Sequence, residues 1–462
     1  MRWLIGLLLL AAVALSALYV IAGRGTPPVV SIDQPDHFVG QRGELVVSAQ
    51  DPRPSSLVIT LQQNGKSIPL FALDAPQSAT VTPGAQGGLH VVRPFGKQGV
   101  PDLQPGAARI VVDATRPSLL NLRTLSSTTV KDVQVRLEPP AVSAVSHHHY
   151  VNHGGSEMVV YRVTPADVAS GVRVGTVEYP GFAASGAGIA NADPSLKVAF
   201  FALLHDQPLS DPIVLFARDE AGNQSTASFV DDVFEKPFKK SRIEIDDKFM
   251  QRVVPEIINH SPELKLAPPA SASELLPAFL RVNGDLRRMN SARIGELTAP
   301  TASTRLWSGP FVQLGNSQVE ARFADQRTYV YQGKDVDQQV HLGFDLAVTS
   351  GVAVLAANAG KVVNASWLGI YGNCVIIDHG LGVSSLYGHL SAIGVKVGDS
   401  VTKGQEIGKS GMTGLAGGDH LHFTMLVDAH PVNPVEWWDA HWIEDRVDRK
   451  LREAGASSTT SR

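Results

Sequence analysis

Short apolar runs closed by turn-forming residues limit this chain more than any other feature. Leu45-Val46-Val47-Ser48-Ala49 and Leu57-Val58-Ile59-Thr60-Leu61 are such runs, and Gln62-Gln63-Asn64-Gly65 closes the second. Segments of that length are too short for helices and suit the strands of a sandwich. A second set follows, with Met158-Val159-Val160-Tyr161-Arg162-Val163 and Pro212-Ile213-Val214-Leu215-Phe216-Ala217, and ends in the turn-rich Asp219-Glu220-Ala221-Gly222-Asn223. The expected fold class is therefore mainly β. Two immunoglobulin-like β-sandwich modules are predicted at 28–125 and 126–235, serving as spacers or docking units. Over 236–304 the period changes: Phe249, Val253, Val254, Ile257 and Ile258 recur at helical spacing, as do Leu275, Leu276, Phe279 and Leu280. That segment is predicted to be a helical linker. From 305 to 440 short alternating strands and tight turns predict an antiparallel β domain. Residues 441–462 are helix-like and then polar, predicting a helix with a disordered tail. A chain of 462 residues accommodates these several domains.

The N-terminus constrains location. Arg2 precedes an apolar run from Trp3 to Ala22, about 20 residues, enough to cross a bilayer as a helix. A cleaved signal usually has an apolar stretch of about 7–15 residues and a small-x-small site. Val20-Ile21-Ala22 fits such a site poorly. Residues 1–24 are expected to be an uncleaved signal-anchor, with the N-terminus in the cytoplasm and all that follows outside. Lys and Arg total 40 against 44 Asp and Glu, a net charge of -4, a balance that offers no general attraction to nucleic acid phosphate. The single cysteine, Cys374, excludes an internal disulfide.

Two segments carry candidate chemistry. Val340, Leu342, Phe344 and Leu346 alternate with His341, Gly343, Asp345 and Ala347, which predicts one strand with His341 and Asp345 on one face. Leu421, Phe423, Met425 and Val427 alternate with His420, His422 and Thr424, so both histidines share a face. Tyr387 and His389 repeat the spacing. Two imidazoles and a carboxylate suit zinc, which in catalytic sites takes three protein ligands, keeps a fourth position for water and lowers that water's pKa to about 7. A lone histidine on a strand is more often structural. Spacing alone leaves a metal site and structural histidines about equally supported.

The blocks His341-Leu342-Gly343-Phe344-Asp345, Tyr387-Gly388-His389-Leu390 and Gly418-Asp419-His420-Leu421-His422-Phe423 resemble the three signature blocks of the lysostaphin-type (LytM-like) zinc metalloendopeptidases. Gly372-Asn373-Cys374-Val375-Ile376-Ile377-Asp378-His379-Gly380 and Gly411-Met412-Thr413-Gly414 match that family's framework, and the resemblance covers about 305–435. It implies Zn2+ held by His341, Asp345 and His422, with His389 and His420 as the catalytic pair beside the water. It implies a peptidoglycan endopeptidase that cuts cross-link or stem peptides, here on the outer, periplasmic side of the cytoplasmic (inner) membrane. Some members have lost ligands and only activate cell-wall amidases; such an activator or scaffold is the alternative, yet all five positions are filled here. A protein regulator acting on the helical linker is a further expected partner.

Other candidates read as structural. Tyr387 is expected to pack in its strand rather than donate to an oxyanion, and Asn373 serves the cleft or a turn equally well. His379 is expected at a turn and Cys374 as a buried thiol. His147, His148, His149 and His153 are expected in an exposed loop, with no acidic or Cys companion at ligand spacing. The Val-x-x-Gly pattern near 395–404 lacks the presented Lys of a biotinyl or lipoyl carrier.

Overall fold

The computed structural model describes residues 2–50, 53–75, 79–84, 87–119 and 121–460. It is mainly β, with short helices between and after the β regions. The chain forms two compact units, Met1–Pro140 with Arg218–Ser225, and Ala141–Ala217 with Thr226–Arg462.

In the first unit the helix Arg2–Ala22 is long and apolar enough to cross a membrane, and none of its apolar window is buried. Two sheets follow. One has the order Val30–Gln34, Gly43–Ala49, Leu89–Phe95, Thr80–Pro83; the other Phe38–Val39, Arg123–Val135, Gly106–Ser118, Ser56–Gln63, Lys66–Ala72. Alternation aims one face of each inward: Val47 and Val91 meet Leu57, Ile59, Leu61 and Val112 in a single core. The strand Arg123–Val135 pairs along its whole length with Gly106–Ser118. This module therefore continues to Pro140 rather than ending at 125. The strand's outward residues are mostly polar (Thr124, Ser126, Thr128, Asp132 and Gln134) and its inward face includes Ser127, Thr129 and Lys131, so its apolar signal is weak and sequence reading missed it.

The second unit joins a further β module to the C-terminal domain. Its strands Ser156–Thr164 and Leu196–Ala202 pair in register from Ser156 opposite Ala202 to Arg162 opposite Leu196. Phe200 from that module meets Trp307 and Trp437, with ring centroids 6.3 and 5.7 Å away. Phe311 packs on both tryptophans. One hydrophobic cluster thus runs from Val160 and Leu215 through Trp437 to Phe344 and Phe423. The second module is fused to the domain beside it, not held off as a free spacer. Buried Glu436 strengthens the joint, accepting hydrogen bonds from Asn152 Nδ2 and from Ser156 N and Oγ.

The C-terminal domain is built on one large sheet. Its order is Gln318–Ala321, Phe344–Ala347, His420–Val427, Val383–Leu390, Asn373–Gly380, Gly360–Trp367, Ser400–Val401, with His430–Val432 paired to the third strand. A smaller sheet of Lys240–Ile245, Asp325–Tyr331 and Lys334–His341 abuts it. The predicted linker is only partly helical, because Lys240–Ile245 pairs in parallel with Asp325–Tyr331. Its helices Asp247–Asn259, Ala272–Arg281 and Arg287–Thr298 follow, and Val253, Ile257, Phe279 and Leu286 bury together against Tyr329 and Ile370. These helices are part of the domain's packing.

The last helix, Arg449–Thr460, reaches to the end of the described residues, and the final two residues of the predicted tail lie outside them. Leu451 and Ala454 enter the shared core. Beside them Lys450 Nζ donates to Glu157 Oε1 at 2.9 Å, with both side chains almost wholly buried. Removing Lys450 leaves the buried Glu157 with only the longer contact to Arg446, 3.7 Å away. Lys450→Met should therefore lower unfolding free energy by about 3–5 kcal/mol, read by urea denaturation. Adding Glu157→Gln should recover most of the loss, since the stranded charge is gone.

Candidate active site

The site follows from strand register. Asp345 lies directly opposite His422, and Gly388 lies opposite His422 on its other side. His341 arrives from the neighbouring hairpin, where it pairs with Asp325. His341 and Asp345 do not share one strand as their alternation predicted. Lys334–His341 and Phe344–Ala347 are separate strands in different sheets, broken at Leu342-Gly343. The break lets the two side chains converge. A Cβ on Gly343 would lie 2.6 Å from His422 Cε1 and Nε2, so only glycine permits this close approach.

His341 Nε2 lies 2.9 Å from Asp345 Oδ1 and 3.1 Å from His422 Nδ1, and His422 Nδ1 lies 3.0 Å from Asp345 Oδ1. Among the described residues this is the only group of three such side chains able to hold a metal ion. Each far atom is tied down. His341 Nδ1–H donates to the Arg322 carbonyl at 3.1 Å. His422 Nε2–H donates to Thr424 Oγ1 at 3.0 Å, and that hydroxyl donates to the Leu342 carbonyl. Arg327 Nη2 donates to Asp345 Oδ2 at 2.9 Å. Such partners fix ring orientation and tautomer, leaving the facing nitrogen as a lone-pair donor. The donor set therefore fits a divalent metal of the zinc type.

His389 and His420 stand beside this group, with ring centroids 4.8 Å apart, and His389 lies 5.8 Å from His422. His389 Nδ1 donates to the Thr413 carbonyl and His420 Nδ1 to the Gly418 carbonyl. His389 does not share a face with Tyr387, because its φ of 63° turns the chain left-handed after Gly388. Strained backbone of this kind tends to mark functional positions. All five side chains are buried. Burial, then the neighbouring His420 and His422, push the His389 imidazole well below its usual pKa. Burial also opposes charge on His420, but hydrogen bonding and proximity to Asp345 outweigh it and raise that pKa. Burial would raise the Asp345 carboxyl, yet the surrounding imidazoles, His341 first, hold it well below the carboxylate range whenever a proton lies between them and Oδ1. Environments that push neighbouring groups apart in this way separate a proton acceptor from a proton holder.

The cleft wall holds residues the sequence reading did not find. Tyr371 lies over His422 at 5.3 Å. Arg327, Arg287 and Ser291 line the same cavity of about 140 Å³ as the five site residues. The helices support this wall: Arg252 Nη2 donates to the Ala416 carbonyl, and Ile370 N–H donates to Asn290 Oδ1. Thr424 lay on the polar face with His420 and His422, a signal that could have been used. Arg287 and Tyr371 had none, since tertiary packing alone brings them in.

Residues 339–434 match the model of Peptidase family M23. The C-terminal domain is an M23 peptidase domain, of the lysostaphin type. Over 97 residues, 21% of this chain and 22% of the relative, it is 41% identical to the DD-carboxypeptidase/endopeptidase Mpg of Neisseria meningitidis. Over 96 residues, again 21% and 22%, it is 42% identical to the peptidoglycan DD-endopeptidase ShyA of Vibrio cholerae. The chain thus spans about a fifth of the length of the curated relatives it matches. The lysostaphin catalytic domain of Staphylococcus simulans is 30% identical over 27% of this chain and 92% of that one, with a TM-score of 0.24.

The remaining candidates fall away from the M23 cleft. Tyr387 is in the core, its oxygen accepting from Ala357 N–H and Ser385 Oγ. Asn373 opens the strand Asn373–Gly380, and its Nδ2 donates to the carbonyl of Leu390 on the paired strand, so it holds the strand pair together rather than a turn. His379 is a buried core residue between the Ala359 carbonyl and Ser385 Oγ rather than a turn residue. His147 and His148 are exposed, but His149 is buried against Ser146 and the Phe229 carbonyl, a correction to the exposed-loop expectation. Cys374 is a buried free thiol. Tyr387→Phe should leave the Ala357 N–H unpaired and cost about 1–3 kcal/mol of stability in urea denaturation, with no loss of peptidase activity if its role is packing.

Proposed function

We propose that this chain is a zinc-dependent peptidoglycan endopeptidase that hydrolyses cross-link or stem peptides. In this reading Arg2–Ala22 is an uncleaved single-pass anchor in the cytoplasmic membrane. The β modules are immunoglobulin-like, and the M23 domain works on the periplasmic side. The observation that carries the reading is the convergence of His341 Nε2, Asp345 Oδ1 and His422 Nδ1 within about hydrogen-bond distance, each with its far atom tethered. Those three would hold the ion. A bound zinc would supply Lewis acidity and an ionisable water at neutral pH.

The chain's own residues do the rest. His389 is held neutral by its buried setting and is oriented by the Thr413 carbonyl, so its Nε2 is ready to accept a proton from attacking water. His420 keeps a proton more readily and presents an N–H toward the oxygen that gains charge as the carbonyl is attacked. Arg327 holds Asp345 in its orientation from behind. Buried walls exclude bulk water, which strengthens each of these interactions. The amide of a D-alanyl-diaminopimelate cross-link is the bond this reading favours in a Gram-negative envelope.

Zinc-loaded full-length protein should release muropeptides from purified peptidoglycan. Chelation should abolish release and added zinc restore it. His389→Ala should retain its zinc and lose about 100-fold or more in kcat. Undiminished release after chelation, or from His389→Ala, would sink the endopeptidase reading. Gly343→Ala should push His422 aside and weaken zinc binding roughly tenfold or more, measured by competition with a chromophoric chelator.

A further inference from the structure

We propose that Arg287 is a specificity-determining residue that binds a free carboxylate carried on the carbon bonded to the scissile nitrogen of the substrate. The inference rests on the endopeptidase reading above and names what that site selects.

Arg287 opens the helix Arg287–Thr298 and lines the same cavity as His341, Asp345, His389 and His422. Its guanidinium is held from one side. Nε donates to the Asn283 carbonyl at 3.0 Å and Nη2 to Asn283 Oδ1 at 2.6 Å. Asn283 is fully buried and is itself fixed, donating from Nδ2 to Asp337 Oδ2 at 2.8 Å. Asn283 lies in the π-helical turn Val282–Leu286, a local widening frequently found at functional sites. Among the described residues no carboxylate lies within ion-pair distance of Arg287, and neither N–H of Nη1 meets an acceptor.

Its neighbours differ. Arg281 and Arg288 pair with Asp285, Arg293 pairs with Glu296, and the other arginine of the cleft, Arg327, pairs with Asp345. Arg287 is therefore a half-buried cation that is oriented but not neutralised, beside a site whose only carboxylate is already engaged. A planar guanidinium held at one edge offers the other for a paired contact with a carboxylate.

Substrate chemistry supplies that carboxylate. In a D-alanyl-diaminopimelate cross-link the nitrogen released by hydrolysis sits on a carbon that also carries a carboxylate. The same is true of a terminal D-alanyl-D-alanine. An internal glycine–glycine bond has none. The shared feature is an anionic leaving residue, and Arg287 would select the first two over the third.

The test uses zinc-loaded full-length protein and two matched pairs of probes. One pair is a cross-linked muropeptide dimer with the relevant diaminopimelate carboxylate free or amidated. The other is a stem pentapeptide ending in D-alanyl-D-alanine acid or its carboxamide. Both kcat/KM and affinity (by calorimetry, under conditions without turnover) are measured. Wild type should favour the free acid in at least one pair by about tenfold or more. Arg287→Gln should bring that ratio to within about twofold while changing the amidated probe little, and Arg287→Lys should keep part of the preference. The ratio is taken within one sample, so a partly misfolded variant does not blur it. Preference in the dimer pair assigns the site to cross-links, and preference in the pentapeptide pair assigns it to chain ends; both support the inference. A preference that survives in Arg287→Gln overturns it, because the metal would then be reading the carboxylate. Equal losses on acid and amide overturn it too, since they would make Arg287 structural. Cleavage without acid preference defeats the inference alone. Acid-selective binding that depends on Arg287, with no cleavage of either probe, supports it and defeats the endopeptidase reading instead.

Discussion

Two imidazole nitrogens and a carboxylate oxygen, all within about 3 Å of one another and all buried, point lone pairs at a common centre. Such an arrangement is repulsive unless protons or a cation lie among the three, and burial removes the water that would otherwise relieve it. The domain is organised around holding it together. Arg327 neutralises the outer oxygen of Asp345, the Arg322 carbonyl takes the outer N–H of His341, and Thr424 takes that of His422. Every outer contact leaves the inner atom a donor of electrons. A cation would be gripped from three sides without any side chain having to turn.

That grip depends on backbone register more than on side-chain choice. Asp345 and His422 face one another because Phe344–Ala347 and His420–Val427 pair with no bulge between them. His341 joins them only because the chain leaves one sheet and enters another at Leu342-Gly343, where no Cβ obstructs the His422 ring. A one-residue slip in either pairing would turn these side chains to the opposite face. The large apolar interface that fuses the second β module to this domain resists such a slip. Phe344 and Phe423, neighbours in sequence of Asp345 and His422, are part of the same buried cluster as Phe200 and Trp437.

Two period-two patterns singled out His341, Asp345, His420 and His422 on the polar faces of apolar strands, and His389 was added by the Tyr387-Gly388-His389-Leu390 block; the structure brings all five to one cavity. The resemblance then turned two weak spacings into one site. What escaped the sequence has physical reasons. Period two cannot reveal that His341 and Asp345 lie on different strands, since a sharp crossing at glycine preserves the alternation. Nor does it reveal that Tyr387 and His389 part company, because the left-handed φ of His389 is imposed by its surroundings. Arg123–Val135 was cut in two because its exposed face is polar and half its inward face is only partly buried. The strand Lys240–Ile245 was hidden inside an expected linker, its alternating residues mostly charged or small.

The region that matches the M23 family, 339–434, contains the proposed metal ligands and the two histidines proposed as catalytic, but not Arg327, Arg287 or the helices that brace the cleft. Those come from sequence upstream of the family match. The cleft wall is thus shared between the matched stretch, which supplies Tyr371, and the sequence before it, which supplies Arg287 and Arg327. The family match takes in the five histidine and aspartate positions, while Arg287 and Arg327 of the cleft wall lie before it. The wall is bound to the catalytic loops by Arg252 to Ala416 and Asn290 to Ile370. Changes there would move the loops that carry Tyr371 and precede His420, so the same helices that shape the mouth also help to position the residues inside it.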